Sequence, residues 1–308
     1  MNQEQVYYRH KSRESVVSKL VKRYLISTDR KNSLLKIFET KEFNRLPAPI
    51  PKSLINLCRI DEVLVHNRTV WKLTPKKKSS QKVIFYSHGG GHMNNIISFH
   101  WKMIEYLIKR TGATFIVPDY PLLPEYNYKE TYEMVEEAFR TMVEGIDSKD
   151  LIFLGDSAGG AISFALAQLL RDKKYPIQPS QLILISPELD ASKLHEDIPQ
   201  YEPFDVMLTG EIFNVITPYY VGDCPRDHFL VSPGLGDLEN LGAISIFAGT
   251  HDILFPYALD LKKRLENENK IFNFYEYPKM IHVWAAITIM KEARSALNQM
   301  VVLINKVT

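Results

Sequence analysis

The stretch LIFLGDSAG, residues 151–159, decides the fold of this chain. Its four leading apolar residues predict a short buried strand, and the pattern from Ala158 to Leu170 predicts a helix. Ser157 lies at the tip of the sharp turn between them. Gly155 and Gly159 flank this serine because a side chain at either position would collide with its neighbours. The stretch therefore predicts a strand, a strained turn and a helix, with the serine hydroxyl exposed above the edge of a sheet.

Short apolar strands alternate with helices through most of the remaining chain. Strands are predicted at 83–86, 114–117, 151–154, 182–185, 243–248 and 272–277, and helices at 101–109, 128–143, 158–170, 258–265 and 285–304. One or two further strands are predicted within 63–73, followed by a solvated hairpin tip at 76–80. This alternation predicts an α/β fold with a mostly parallel central sheet and helices on both faces. Ligands of such folds bind beyond the carboxyl ends of the strands.

Composition narrows the class of protein. The 308 residues are 45% apolar and 24% charged, which is ordinary for a globular protein, and a net charge of +2 gives no reason to expect nucleic acid as a partner. No run approaches 18 apolar residues, so no integral membrane segment is expected. The N-terminus has no apolar signal region, and Cys58 and Cys224 are far apart in sequence. These features predict a cytoplasmic protein.

Two segments differ from the alternating body. Residues 1–50 carry apolar positions at helical spacing between Val16 and Leu25 and end in a proline-rich junction at 47–51. Residues 190 to about 227 contain four prolines among aromatic residues and interrupt the alternation within the 51–308 body. We expect the N-terminal helices and this insertion to form a helical cap over the strand ends. The basic face of these helices is interpreted as solvated, in preference to a lipid-binding surface.

The chemistry of Ser157 requires two partners. A serine hydroxyl needs a base to take its proton, and the base needs a carboxylate to orient it and stabilise its charged form. Asp252 follows the predicted strand 243–248, and His282 follows the strand 272–277. We predict Ser157 as nucleophile, His282 as base and Asp252 as acid. The rival candidates near the acid position follow no buried strand so directly; they are His251, Asp260 and Glu276.

The sequence HGGG at 88–91 follows the predicted strand 83–86. Consecutive glycines allow backbone N–H groups to approach one atom, which suits the negative oxygen of an acyl-transfer intermediate. The N–H of Ala158, directly after the nucleophile, is the further donor expected here. A phosphate-binding loop is disfavoured because residues 88–94 match neither a P-loop nor G-x-G-x-x-G. His88 is predicted to fix the loop through hydrogen bonds.

Taken together, these motifs resemble the hormone-sensitive-lipase-like branch of the α/β-hydrolases, the bacterial family IV esterases. The matching stretches lie between about residues 83 and 284: HGGG at 88–91, DYPLLPE at 119–125, GDSAGG at 155–160, SPELD at 186–190, GTHDIL at 249–254 and MIH at 280–282. The resemblance implies the α/β-hydrolase fold with a helical cap. It also implies an oxyanion hole formed by the amides of Gly90, Gly91 and Ala158. In one departure, His92 replaces the bulky apolar residue usual after the glycines.

The predicted function is that of a serine carboxylesterase, with no metal or organic cofactor. The preference for small esters with short acyl chains is implied by the resemblance. A lipase or a deacetylase with the same triad is an alternative. A non-catalytic ligand-binding module on the same scaffold is a second alternative, but receptors of this branch lack the histidine that is present here as His282. The expected partners are a small-molecule ester and, in a homodimer, a second copy of the chain.

Overall fold

A mostly parallel sheet forms the centre of the protein in a computed structural model that describes residues 5–306 of the chain. Within these residues the sheet has nine strands: β1 Val6–Arg9, β2 Cys58–Val65, β3 Arg68–Pro75, β4 Val83–Ser87, β5 Thr114–Pro118, β6 Leu151–Asp156, β7 Gln181–Ile185, β8 Ala243–His251 and β9 Phe272–Ile281. Their spatial order is β1-β9-β8-β7-β6-β4-β5-β3-β2. The β2–β3 and β3–β5 pairs are antiparallel, and the other pairs are parallel.

Helices cover both faces of the sheet. They are α1 Val16–Ser27, α2 Ser33–Thr40, α3 Lys52–Leu57, α4 Ser98–Thr111, α5 Tyr128–Met142, α6 Ala158–Asp172, α7 Ile198–Tyr201, α8 Glu211–Val221, α9 Phe255–Asn267 and α10 Lys291–Ile304. Side chains of β4 alternate between two buried clusters: Phe85 belongs to the cluster that includes residues of α5, α6 and α9, whereas Ile84 belongs to the cluster that includes residues of α4 and α10. Burial on both faces explains why β4, β5, β6 and β7 are continuous apolar runs. None of the helices within 5–306 has the length and hydropathy needed to span a bilayer.

This architecture confirms the predicted fold class, but two local predictions are wrong. The last helix begins at Lys291 and not at 285, since Trp284–Ala286 forms a separate 3₁₀ turn. Residues 76–80 are not a hairpin tip, because β3 and β4 are not neighbours in the sheet. The tight hairpin instead joins β2 to β3 through His66 and Asn67, both with positive φ (48° and 60°). Two central residues of positive φ are typical of the turn that matches strand twist in a two-residue hairpin.

The N-terminal segment begins with a strand that the helical interpretation of this region did not include. β1 pairs in parallel with β9, from Val6 opposite Asn273 to Arg9 opposite Glu276. The helices α1 and α2 follow, and the side chain of Ser15 caps α1 by accepting a hydrogen bond from the Ser18 N–H. Residues 1–4, part of the predicted N-terminal unit, and 307–308 lie outside the described residues.

Candidate active site

The turn between β6 and α6 holds Ser157 in a strained conformation, with φ 52° and ψ −126°. A Cβ on Gly155 would lie 2.2 Å from the carbonyl oxygen of Gly159, and a Cβ on Gly159 would lie 2.1 Å from the carbonyl oxygen of Ser87. Such distances exclude any side chain at these two positions. The predicted reason for the glycines is therefore confirmed, and the packing of the turn fixes the direction of the serine side chain.

Three side chains predicted from separate motifs lie in one hydrogen-bonded chain. The Nε2 atom of His282 is 2.8 Å from the Oγ of Ser157, and its Nδ1 atom is 3.0 Å from the Oδ2 of Asp252. All three are buried. Asp252 directly follows β8 and His282 directly follows β9, so the parallel strands bring both residues to the same sheet edge as the β6–α6 turn.

The charges around these three hydrogen-bonded side chains favour the protonated form of the His282 imidazole. Burial alone lowers the pKa of His282, but the neighbouring carboxylates of Asp252, Asp205 and Asp156 outweigh it and raise the pKa above its ordinary value. The Oδ1 atom of Asp252 accepts a hydrogen bond from the Leu254 N–H at 2.9 Å, which orients the carboxylate. The arrangement can therefore accept a proton from the serine and stabilise the resulting imidazolium.

Asp205 is a buried carboxylate beside this chain that the sequence reasoning missed. Its Oδ2 accepts from the Ile253 N–H at 2.9 Å and its Oδ1 accepts from the Met207 N–H at 2.7 Å. Burial, followed by repulsion from Asp252, raises the pKa of Asp205 to about 6. The residue links the 190–227 segment to the loop that carries Asp252. The only sequence signal was one acidic residue in an otherwise apolar run, PFDVML at 203–208.

The glycine loop after β4 presents amides that are free to bind a ligand. Gly90 and Gly91 have φ of 140° and 61°, and a Cβ on Gly90 would lie 2.3 Å from the carbonyl oxygen of Asn94. Among the hydrogen bonds of residues 5–306, none uses the N–H of Gly90, Gly91 or Ala158 as donor. The Ser157 N–H, by contrast, is engaged by the carbonyl oxygen of Ile185 at 2.9 Å. The three unengaged amides are those predicted for the oxyanion hole.

Two buried residues hold the glycine loop against the turn. Asp156, which no sequence motif had assigned, accepts the Gly89 N–H at 3.1 Å and the hydroxyl of Tyr86. His88 places its Nδ1 2.8 Å from the Gly89 carbonyl oxygen, and the Tyr120 hydroxyl donates to the His88 carbonyl oxygen. The predicted structural role of His88 is confirmed. Burial lowers the pKa of His88 to about 3, so it is neutral near pH 7.

A cavity of about 840 Å³ opens onto Ser157 and His282. Its wall is mostly apolar and comes from α1, α2, α8 and the loops around the strand ends. Residues from these helices include Val17, Val21, Leu25, Leu34, Ile37, Ile212, Phe213 and Ile216. Exposed apolar side chains that also line the cavity mark its mouth; they are Leu20, Tyr24, Ile97, Phe99 and Ile289. This volume is in the range of pockets that hold small organic molecules.

Glu188 is one of several polar residues in the mostly apolar wall, and it pairs with a buried histidine. The carboxylate of Glu188, which lines the cavity, lies 3.5 Å from the Nε2 of His92. The His92 ring stacks on Tyr220 with centroids 3.7 Å apart. The departure from the family pattern at position 92 thus forms a buried His–Glu–Tyr cluster. Within residues 5–306 no group of three or more His, Cys, Asp or Glu side chains is arranged to hold a metal ion.

Comparisons with known proteins agree with this geometry. The chain belongs to the α/β-hydrolase family, since the family model for the alpha/beta hydrolase fold matches residues 84–286. An esterase of Acinetobacter venetianus is 31% identical over 205 residues, which are 66% of this chain and 67% of that protein. An acetyl-hydrolase of Streptomyces hygroscopicus is 28% identical over 226 residues, covering 73% and 75% of the two chains.

A solved structure shares the fold over almost the whole length of both chains. The crystal structure of an esterase from the bacterial hormone-sensitive lipase family superposes with a TM-score of 0.77 and 21% identity, covering 93% of this chain and 97% of that chain. With the family match and the esterase relative, the predicted resemblance to hormone-sensitive-lipase-like esterases is confirmed.

Proposed function

We propose that the chain is a serine carboxylesterase that cleaves its substrate through an acyl-enzyme intermediate. The observation that carries this proposal is the 2.8 Å contact between the Ser157 Oγ and the His282 Nε2, with Asp252 on the other ring nitrogen. Similarity to an esterase and an acetyl-hydrolase supports ester-bond cleavage. A ligand-binding module without catalysis would have no need of this complete relay.

In acylation, the Ser157 Oγ forms a bond to the carbonyl carbon of the ester while its proton moves to the His282 Nε2. The imidazolium is stabilised by the Asp252 carboxylate at the other nitrogen. His282 then gives the proton to the leaving alcohol as the carbon–oxygen bond breaks. In deacylation, a water loses its proton to the same nitrogen, attacks the acyl carbon and releases the acid, and Ser157 recovers its proton.

The amide N–H groups of Gly90, Gly91 and Ala158 stabilise the negative charge that develops on the carbonyl oxygen. These N–H groups are fixed by the loop and the first turn of α6, so little reorganisation is needed in the transition state. Each such donor is worth about 3 kcal/mol in kcat. Asp156 keeps the loop in position through Gly89 and takes no part in the chemistry.

The substrate class follows from the cavity above the serine. The helices α1 and α2 and the segment 190–227 act as the cap of the core, because α1, α2 and α8 all contribute to the cavity wall. The strand β1, by contrast, belongs to the core sheet. The apolar wall favours an apolar acyl group, and we retain the short acyl chain implied by the family. The remaining volume accommodates a larger group elsewhere on the same ester.

Hydrolysis of p-nitrophenyl esters of graded acyl length tests this proposal. We expect kcat/KM to be highest on short chains and to decline as an unsubstituted chain lengthens, because its apolar end would then lie against the charged Arg30 in the cavity wall. Steady-state release of p-nitrophenol measures the series. An optimum on emulsified long-chain triglycerides instead would favour a lipase, and an absence of turnover on every ester would contradict the esterase assignment.

The pH profile provides an independent prediction. Catalysis needs neutral His282, whose pKa is raised above 6.5, so kcat/KM should fall as the pH decreases through a midpoint above 6.5. Below that midpoint the loss should approach about tenfold per pH unit. In Asp205→Asn the midpoint should move to lower pH, since one carboxylate that favours the imidazolium is removed. A midpoint below 6.5 in the wild type, or one that Asp205→Asn shifts upward, would contradict this electrostatic account.

A further inference from the structure

The turn between α1 and α2 places an arginine in the cavity wall without a carboxylate partner. Arg30 begins the 3₁₀ turn Arg30–Asn32 and lines the cavity. Its guanidinium donates to the hydroxyl of Ser33, and within residues 5–306 it forms no ion pair. Burial lowers the pKa of this guanidinium, with no acidic neighbour to offset the effect.

Other arginines of comparable exposure in this protein are paired with carboxylates. Arg45 lies 2.6 Å from Glu125, Arg68 lies 2.7 Å from Asp119, and Arg264 lies 2.8 Å from Glu268. Transferring a cation from water into an apolar environment is costly unless an anion or several hydrogen bonds replace the water. Arg30 therefore carries a charge that no carboxylate within residues 5–306 compensates, in a wall that is mostly apolar.

The position of Arg30 relates it to the glycine loop. Leu34 lies four residues further along, and its Cδ1 is 3.7 Å from the Cβ position built on Gly91. Arg30 and Leu34 are thus about one helical turn apart along the same wall, of which Leu34 is the end next to the oxyanion-hole amides. A substrate whose carbonyl group lies at Gly91 can extend an apolar chain past Leu34 to the guanidinium.

The two ends of the cavity differ in charge. The N–H of Glu188 donates to the Ser157 carbonyl oxygen at 3.2 Å, so the Glu188 carboxylate belongs to the serine end. Asp156, also in the cavity lining, adds a second acidic group there. An anionic group on a ligand is repelled from that end and attracted to Arg30. This asymmetry gives the cavity a preferred orientation for a substrate with one charged terminus.

We propose that Arg30 binds a carboxylate carried by the ester substrate at a distance from its scissile bond, so that the substrates include half-esters of dicarboxylic acids. This inference rests on the proposed esterase function for the fate of the ester, but the binding step is independent of it. A guanidinium matches a carboxylate with two parallel N–H···O bonds, and the apolar surroundings strengthen them.

Calorimetric binding to the Ser157→Ala protein tests the site without hydrolysis. The probes are monomethyl suberate and dimethyl suberate, which share a chain and differ by one charge. We expect the monoester to bind about 10- to 100-fold tighter, which corresponds to a hydrogen bond with charged partners. Adding Arg30→Gln should abolish this preference, and adding Arg30→Lys should retain part of it. The matched control is Arg23→Gln, which removes the same charge from an exposed residue of α1 outside the cavity.

Equal binding of the two probes, or a monoester preference that survives Arg30→Gln, would overturn the proposal. Thermal unfolding of the ligand-free single variant separates binding from a structural role. Arg30→Gln should leave Tm unchanged or higher, because it removes a half-buried charge that has no carboxylate partner within residues 5–306. A clear fall in Tm would mean that Arg30 supports the fold and would overturn the premise that its charge awaits a ligand. If the monoester binds through Arg30 and the wild type hydrolyses p-nitrophenyl esters but not the monoester, the binding site stands and the half-ester is not a substrate. If no ester at all is hydrolysed, the binding site stands and the esterase function fails.

Discussion

Replacement of Ser157 by alanine is expected to lower kcat on a short-chain p-nitrophenyl ester by about a millionfold, as removal of a nucleophile does in other serine hydrolases. Without the Oγ, no acyl-enzyme forms, and the amides and His282 can assist only direct attack by water. Fixed-time and steady-state assays of p-nitrophenol release measure the loss in kcat. Mass spectrometry of the wild type during turnover should detect one acyl group on the peptide containing Ser157.

The matched control is Ser192→Ala, since this serine lies outside the cavity. It should retain the wild-type kcat. Circular dichroism and Tm of both variants exclude unfolding as the cause of any loss. Turnover by the Ser157 variant within about tenfold of the wild type would require a different nucleophile, since such a small difference is far below the cost of removing one.

The second large effect is expected for His282→Ala, which should also reduce kcat by about a millionfold. The variant keeps the Ser157 hydroxyl but removes the group that accepts its proton, and serine is a weak nucleophile in its neutral form. The same p-nitrophenyl ester assay applies. The loss should be non-additive, with Ser157→Ala/His282→Ala no less active than either single variant, because the two side chains act as one unit.

His251→Ala is the control for this histidine. His251 lies in the same sequence motif as Asp252, directly before it. Its Nδ1, however, lies 3.5 Å from the Lys22 Nζ, and its ring stacks on Phe204. Burial, together with the Lys22 ammonium, lowers the pKa of His251 to about 4. We expect this variant to keep a kcat close to that of the wild type. A loss as large as that of His282→Ala would mean that the base has been assigned to the wrong histidine.

The sequence was most informative where chemistry coincides with a strand end. Apolar runs locate the strands, parallel strands share an edge, and the residues that directly follow them therefore meet. This reasoning predicted that Ser157, Asp252 and His282 would converge, and hydrogen-bond contacts join them in the structure. Gly155 and Gly159 were also predictable, since a side chain at either position would collide with backbone atoms packed against it.

Other features depend on contacts that no local pattern encodes. Asp205 reaches the Asp252 loop from a segment without clear periodicity, and only the folded chain brings the two carboxylates together. The four residues of β1 are too short for a strand signal, and their pairing with β9 joins positions more than 260 residues apart. In the sequence, Arg30 does not differ from other basic residues. Only the structure shows that it lies in the cavity wall with no acidic neighbour among the described residues.

The pairing of β1 with β9 has a consequence for how ligands enter. After β1, Ser15 connects the chain to α10: its backbone N–H and its Oγ donate hydrogen bonds to the Glu292 carboxylate at 2.6 and 2.9 Å. Beyond this point α1 forms part of the cavity mouth. The helix α1 also packs on the buried cluster that includes residues of α4 and α10, through Val17, Val21 and Leu25. The first helix and the last therefore meet beside the entrance, and the contacts of Ser15 with α10 help to position the helix past which a substrate must enter.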